Sequence, residues 1–226
     1  MSWLPKSMSW DTESIANAMN DGIQKFGKID VLVNNAGYGA YGTLESFSRE
    51  RIVNIFNTNV IGLLDVTKAL LSHFRKNKNG LIINISSMAG IVAFPLGTLY
   101  HATKFAVEGI SEALSYEVEQ FGGKVKIIEP GAFATDFAGR SFDFSNDESM
   151  VEYQSLVGKV MSVMPDIFAN AGPVSVVADV IYGAATDGTD QLRYVVGEDA
   201  EGIINRRRQA EDDEAFIQTM KSEYKS

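Results

Sequence analysis

Apolar residues follow two different periods along this chain, and the two periods alternate. Continuous apolar runs, rich in Ile and Val, are typical of buried strands and predict them at 29–35, 80–87, 124–130 and 193–197. Between these runs, apolar positions recur every three or four residues, which predicts helices at 14–26, 48–77, 100–121 and 173–186. Strands that are apolar on both faces and separated by helices form parallel βαβ units. The pattern therefore predicts an α/β fold with a doubly wound, mostly parallel sheet and helices on both faces, in a single domain over 1–226.

Three glycines directly after the first predicted strand raise the possibility of a phosphate-binding turn. Gly37, Gly39 and Gly42 match the dinucleotide pattern G-x-G-x-x-G. That pattern needs a helix to open at its third glycine, but the helix here is expected to begin later, with Ser48 as its N-cap. We therefore interpret Gly39 and Gly42 as a structural turn. Only Gly37 is kept, as the end of the motif NNAG at 34–37.

A tyrosine, a lysine and a serine are expected to meet where the predicted strands end. Tyr100 and Lys104, in YHATK, stand four residues apart and so share one helix face, and the preceding strand ends in NISS with Ser87. A lysine ammonium lowers the pKa of a nearby tyrosine from about 10, and a serine hydroxyl can donate to a substrate carbonyl. These residue types suit general acid/base chemistry at a carbonyl group. A surface tyrosine beside a solvated lysine is the alternative.

Five motifs in a fixed order carry a resemblance to a known family: NNAG at 34–37, NTNVIG at 57–62, NISS at 84–87, YHATK at 100–104 and PGAFAT at 130–135. The chain resembles the short-chain dehydrogenase/reductase family from about residue 11 to residue 197, which implies a Rossmann-type sheet. The resemblance implies that Tyr100 is the general acid/base and that Lys104 lowers its pKa. It implies that Ser87, rather than Ser86, orients the substrate oxygen, and that Asn59 anchors a relay water.

The same resemblance implies an NAD(P) cofactor, with NADP slightly favoured, and hydride transfer between it and an alcohol or carbonyl substrate. Besides Tyr100 and Lys104, the cofactor-binding residues that it implies lie on both sides of the expected site: Asn35, Ala36, Gly37, Pro130, Gly131 and Thr135. No metal site is expected, since the chain has no cysteine and its two histidines are far apart in sequence.

The chain departs from the family at its beginning. The family's own glycine turn, T-G-x-x-x-G-x-G, comes well before NNAG, which here begins at residue 34. The third strand of the family is reduced to something like MSW at 8–10, without the expected aspartate. We therefore expect an N-terminally truncated chain whose cofactor binding is weakened or lost and whose strand 29–35 lies at a sheet edge. The alternative function is a truncated, non-catalytic relative that acts as a cofactor-free binding partner or subunit.

Aromatic and methionine residues crowd the stretch from about 133 to 172, which we expect to be an irregular substrate lid. Such a lid favours an apolar alcohol or carbonyl substrate, although a loose loop packed by its own aromatic residues fits equally well. The segment 199–226 is expected to form a charged tail, and His101 is expected on a helix surface.

Charge and the lengths of apolar runs narrow the possible partners. The net charge of −9 argues against a nucleic-acid partner, and no apolar run approaches the roughly 18 residues of a membrane span. With no leader-like start and no cysteine, a cytoplasmic location is expected. The family implies a homo-oligomer, a dimer or tetramer, built through the helices at 48–77 and 100–121.

Overall fold

The computed structural model describes residues 12–225, and a parallel sheet lies at its centre. Its strands are paired in the order β1-β3-β4-β6 and have these bounds: β1 (Val31–Asn34), β3 (Gly80–Ile85), β4 (Gly123–Pro130) and β6 (Arg193–Val196). A separate parallel pair is formed by β2 (Gly39–Gly42) and β5 (Phe142–Ser145). The four strands predicted from continuous apolar runs are confirmed. Their inner members are buried on both faces, which is why they lack polar alternation.

Helices cover both faces of this sheet, as predicted. Their bounds are α1 (Thr12–Phe26), α2 (Arg49–Phe56), α3 (Gly62–Asn77), α4 (Thr98–Val118), α5 (Val151–Ala169), α6 (Val174–Thr186), α7 (Glu198–Gln209) and α8 (Asp213–Tyr224). A π-helical turn, Asn57–Ile61, joins α2 to α3 without a break. Leu70 and Leu114 of α3 and α4 pack on one face of the sheet, and Ala184 of α6 packs on the other. The α/β, doubly wound architecture is thereby confirmed.

The stretch 133–172 differs from the irregular loop expected there, because α5 occupies nineteen of its residues. Pro165 lies inside α5. Since a proline removes one helical hydrogen bond, its presence argues against a helix when the sequence is considered alone. Packing explains why the helix forms nevertheless: Val157 and Val160 bury their side chains against Leu96.

Gly39 and Gly42 bound a strand, β2, where a turn was expected. Gly42 has φ of +143°, and its amide donates to the carbonyl of Leu96 at 2.7 Å. A Cβ at this position would collide with the backbone of Ser145 on β5. Glycine is therefore required here so that two short strands can approach closely.

The outer strand and the last helices complete the described chain. Val31 and Val33 of β1 are 38% and 41% exposed, and within residues 12–225 β1 pairs only with β3. The strand expected near 8–10 lies outside the described residues. Beyond residue 198, α7 and α8 pack on the core through buried Ile204 and Phe216. No helix of the described part is long and apolar enough to cross a membrane.

A chain of side-chain amides, half-buried at Asn34 and fully buried at Asn84, ties the outer strand to α4. Asn34 Nδ2 donates to Asn84 Oδ1 at 2.8 Å and to Thr67 Oγ1 at 3.0 Å, and Asn84 Nδ2 donates to Ser111 Oγ at 2.8 Å. Asn84 and Ser111 are both fully buried. Because these groups have no access to water, each depends on the others for its hydrogen bonds. The first asparagine of NNAG is thus structural.

We predict that Asn84→Ala lowers the free energy of unfolding by about 1–3 kcal/mol, because it leaves buried partners unsatisfied. Chemical denaturation monitored by circular dichroism measures this change. Asn205→Ala, an exposed position on α7, is the matched control and should change stability by less than about 0.5 kcal/mol. Equal effects of the two substitutions would contradict the role given to the amide chain.

Candidate active site

Ser87 lies where β3 ends, beside the end of β4. Its Oγ accepts from Ala89 N at 3.1 Å, which caps a short 3-10 turn, and donates to Pro130 O at 3.3 Å. The hydroxyl therefore bridges the carboxyl ends of two neighbouring strands. This is the edge at which ligands bind in open parallel sheets.

Tyr100 lies in the first turn of α4 and is 7% exposed. The rings of Tyr41 and Phe137 pack against it, with centroid distances of 5.5 and 5.3 Å. Burial raises the pKa of Tyr100 to about 12, and the Ser87 hydroxyl acts weakly in the opposite direction. At neutral pH the phenol therefore keeps its proton. The lowering of this pKa that was expected from Lys104 is not the dominant effect here.

Lys104 follows one helical turn later and shares the buried face of α4. Its Nζ donates to Ile85 O at 2.8 Å and lies 5.7 Å from the centroid of the Tyr100 ring. Burial lowers the pKa of Lys104 to about 8, while the Glu108 carboxylate raises it. The structure thus brings together the predicted serine, tyrosine and lysine at one end of the sheet.

Asn59 lies in the π-helical turn and is buried. Its Nδ2 donates to Tyr38 O at 2.8 Å and to Thr103 Oγ1 at 3.1 Å, and its Oδ1 accepts from Tyr38 N at 3.0 Å. Both amide hydrogens are therefore used by the protein. The side chain fixes the loop after β1 against α4, and one oxygen lone pair remains for a water.

The loop after β1 provides one part of the predicted cofactor rim. Asn35, Ala36 and Gly37 are exposed there. A Cβ at Gly37 would come within 3.1 Å of Asn59 Oδ1, so the loop lies tightly over that amide. Small residues at this position leave room for a flat group beside the backbone.

The segment after β4 provides the other part of the rim. Gly131 N donates to Val196 O at 2.8 Å, and Thr135 Oγ1 accepts from Phe137 N at 3.1 Å. Together with Lys104, these groups fit a nicotinamide and its ribose. Within residues 12–225, β6 leads through Gly197 directly into α7, but the first turn of that helix carries Glu198, Asp199 and Glu201, whose negative charge disfavours a phosphate there.

Asp199 was missed as a residue that shapes this rim. Its carboxylate, at the start of α7, accepts from Ala132 N at 2.7 Å, and a Cβ at Gly131 would collide with it. The sequence offered only an acidic residue in a first helical turn, which is common for reasons of the helix dipole alone. Among the described residues no group of three or more His, Cys, Asp or Glu side chains could hold a metal ion.

His101, expected on a helix surface, is instead buried beside Tyr100, and that expectation was wrong. Its Nδ1 donates to Gly97 O at 2.5 Å and its Nε2 accepts from Phe94 N at 3.1 Å, which defines a neutral ring. Burial lowers the pKa of His101. The ring holds the loop before α4 in place.

We predict that part of the protein's acid sensitivity comes from His101. Below about pH 6.5 the unfolded chain takes up a proton that the folded ring refuses, so the free energy of unfolding falls as pH falls. The expected slope is up to about 1.4 kcal/mol per pH unit. Denaturation of the wild type and His101→Gln from pH 5 to 7.5 should show a slope of unfolding free energy against pH that is less positive in the variant. Identical slopes would contradict the assignment of a neutral, buried ring.

Known proteins show where this chain belongs. Residues 5–146 match the model of a family described as short chain dehydrogenase. Two uncharacterized oxidoreductases of Schizosaccharomyces pombe are each 46% identical over 211 residues, which covers 91% of this chain and 86% of theirs. A 3-ketodihydrosphingosine reductase of Bacteroides thetaiotaomicron is 45% identical over 124 residues, which covers 55% of this chain and 46% of its own length.

A solved structure agrees with the sequence matches. A short-chain dehydrogenase of Streptomyces avermitilis superposes with a TM-score of 0.81 at 31% identity, over 97% of this chain and 77% of that one. Fold, motif order and sequence identity lead to the same assignment. The chain belongs to the short-chain dehydrogenase family and is an NAD(P)-dependent oxidoreductase.

Proposed function

We propose that the protein reduces a carbonyl compound, or oxidises the corresponding alcohol, with Tyr100 as the group that donates and accepts the proton. The observation that supports this most is the convergence of Ser87, Tyr100 and Lys104 in one buried corner at the carboxyl edge of the sheet. A bound nicotinamide cofactor supplies or accepts the hydride.

The proton needed for the reduction would come from the hydroxyl of Tyr100. Burial keeps Tyr100 protonated at neutral pH, so it can donate to the oxygen of a carbonyl as negative charge develops there. The Ser87 hydroxyl would hold that oxygen in place. The ammonium of Lys104, 5.7 Å from the ring, would then stabilise the tyrosinate that remains.

The cofactor would lie along the rim that Gly37 and Gly131 line, with Thr135 near its nicotinamide end. Lys104 would also donate to ribose hydroxyls, exchanging its hydrogen bond to Ile85 O for them. We expect NADP to bind slightly better than NAD, and a fluorescence titration with both cofactors would measure the difference.

An apolar substrate is supported by what surrounds Tyr100. The rings of Tyr41 and Phe137 pack on it, and Phe142 stacks on Tyr41 at 5.3 Å. Beyond Phe142 lies a groove of about 170 Å³ lined by Phe142, Met161, Met164, Pro165 and Phe168. These side chains carry no charge, and methionine adapts readily to apolar shapes. The Bacteroides relative is named a reductase of a keto compound, which agrees with this proposal.

Arg51 is one of the groups that hold the predicted lid against the body of the protein, in addition to the pairing of β5 with β2. Arg51 Nε donates to Asp143 Oδ2 at 3.0 Å, and its NH1 donates to Ser145 Oγ at 2.7 Å. A guanidinium engaged on two sides is strongly oriented. This contact would keep Phe142 over the site while the rest of the segment admits substrate.

The exposed apolar side chains Phe105 and Tyr116 on α4 support the expectation of a homodimer or homotetramer. Burying such residues against a second copy would remove apolar surface from water. Size-exclusion chromatography with light scattering would determine the assembly. The cytoplasmic location stays a prediction.

We predict that Tyr100→Phe lowers kcat at least 100-fold, because the proton donor is lost, while NADPH affinity changes little. Steady-state kinetics and a titration that follows nicotinamide fluorescence measure the two quantities. Tyr182→Phe removes the same atom from a tyrosine that is 72% exposed on α6, and it should leave kcat unchanged. Full activity of Tyr100→Phe would contradict the proposal. Binding of neither NADH nor NADPH at millimolar concentration would favour the cofactor-free partner instead.

We also predict that kcat/KM for linear 2-ketones rises about fourfold per added methylene until the groove is filled, since each buried methylene contributes about 0.8 kcal/mol. Hydroxylated ketones of equal length are the control and should react more slowly. Met164→Ser should flatten this rise without affecting the shortest ketone. A flat series in the wild type would contradict an apolar substrate site.

A further inference from the structure

Three carboxylates surround one guanidinium behind the candidate active site. Arg193 Nε lies 3.1 Å from Glu108 Oε2 and 3.4 Å from Glu129 Oε1, and its NH2 lies 2.6 Å from Glu112 Oε2. Glu129 is completely buried and Glu108 nearly so, whereas Glu112 is about half exposed. Two acidic side chains are therefore buried beside one arginine, and the proposed proton transfer from Tyr100 uses neither of them.

Glu129 lacks the partners that a buried carboxylate needs. Among the described residues neither of its side-chain oxygens has a hydrogen-bond donor, and Glu108 Oε1 also lacks one. The contact with Arg193 at 3.4 Å is an ion pair without a hydrogen bond. A buried carboxylate without donors is costly, and taking up a proton removes the cost.

The two carboxyl groups titrate as a coupled pair. Burial, and then the charge of Glu108, raise the pKa of Glu129 to about 7. The pKa of Glu108 is also raised by burial, but Ser86, Arg193 and Lys104 counteract this. The pair therefore shares a proton toward neutral pH. Because Arg193 donates a hydrogen bond to Glu108 while none of the described residues donates one to Glu129, the proton is assigned to Glu129.

Glu108 lies one helical turn beyond Lys104 on the same buried face of α4. Among the described residues, the ammonium of Lys104 is in contact with the neutral carbonyl of Ile85 and the ring of Tyr100, and no carboxylate lies within 4.0 Å of it. Glu108 therefore acts on it across one helical turn. Charged groups also face the carboxyl pair from every neighbouring element: Glu112 from α4, Arg193 from β6 and Arg208 from α7. Of the carboxylates, Glu108 is the one that raises the pKa of Lys104.

We propose that Glu108 is a positioning residue that keeps Lys104 charged. Glu129 is protonated, so that the region holds no second buried negative charge. The inference deepens the proposed function and rests on it for the role of Lys104. Without the charge of Glu108, little would counteract the lowering of the Lys104 pKa by burial. Lys104 would then lose its proton at a lower pH, and the support it gives to tyrosinate would be lost there.

The charge of Lys104 can be measured without turnover. In protein labelled with 13C-lysine, the signal of the Lys104 Cε is assigned by its absence in Lys104→Arg, and its titration midpoint is read by NMR. Glu108→Gln should lower this midpoint by about one pH unit, a tenfold change in the proton affinity. Glu112→Gln is the matched control: it removes a carboxylate from the same arginine, but one turn further from Lys104, and should have little effect.

The pH dependence of catalysis should shift together with the titration midpoint of Lys104. In Glu108→Gln, the alkaline limb of the pH profile of kcat/KM should move to lower pH by the amount that the Lys104 midpoint moves. Glu108→Asp retains the charge and should restore most of both, which a purely structural role of this side chain would not predict. Thermal melts identify any variant that fails to fold; if Glu108→Gln is one, Glu108→Met, which also removes the charge at similar length, takes its place and should lower the Lys104 midpoint equally.

The proton on Glu129 has its own test. Because the pKa of Glu129 is raised in the folded state, this carboxyl makes the free energy of unfolding fall as pH rises from about 4.5 to about 7, opposite in sign to the contribution of His101. Glu129→Gln resembles the protonated acid, so the stability of the wild type relative to this variant should fall over the same pH range. An equal pH dependence in both proteins would overturn the assignment of the proton.

The outcomes separate this inference from the proposed function. If Glu108→Gln and Glu112→Gln move the Lys104 midpoint equally, or if neither moves it, the inference is overturned whatever the activity. If the wild type reduces no carbonyl compound but the midpoint shifts only in Glu108→Gln, the proposed function fails while the coupling of Glu108 to Lys104 stands.

Discussion

The ammonium group of Lys104, buried at the carboxyl edge of a parallel sheet, is the constraint around which the site is arranged. A charge removed from water must be compensated by dipoles or by opposite charge. The carbonyl of Ile85 provides a dipole, the ring of Tyr100 provides its negative face, and Glu108 provides the opposite charge. Because all three come from α4 or from the strand it packs on, placing that helix on the sheet also places the tyrosine.

The same edge of the sheet shows how structural and functional polar groups are divided. Asn34 and Asn84 hold strands and α4 together deep in the fold, and Asn59 fixes the loop that follows β1. Ser87 ties the ends of β3 and β4 while its hydroxyl lies beside Tyr100. Most of these amides form their hydrogen bonds within the protein. These bonds make the edge of the sheet rigid, and the rigidity pre-organises the few groups that face a ligand.

Much of this could be predicted from the sequence, because the signals were local. Apolar runs identified the four central strands, and the spacing of Tyr100 and Lys104 placed both on one helix face. The pair of β2 and β5 could not be found in this way, since strands of four residues are too short to establish a period and two of the four residues of β2 are glycines. Helix α5 was hidden by Pro165, whose cost is outweighed by tertiary packing that a local pattern does not contain.

The buried polar groups were missed for a related reason. His101, Glu108 and Glu129 look like ordinary surface residues in sequence, since nothing local distinguishes a buried carboxylate from a solvated one. Their significance arises only when β6 brings Arg193 between α4 and β4. A charged residue within a strand that was predicted to be buried, as at Glu129, was the available signal.

The central claim is that Tyr100 and its neighbours carry out the reduction of a carbonyl compound. The most direct measurement incubates the protein with NADPH, and separately with NADH, each carrying two deuterium atoms on the reactive carbon of the nicotinamide, together with an apolar ketone, and analyses the product by mass spectrometry. The account predicts an alcohol that carries one deuterium on its carbinol carbon, formed at least 100-fold more slowly by Tyr100→Phe. An alcohol without deuterium, no alcohol at all, or equal rates in the two proteins would contradict it.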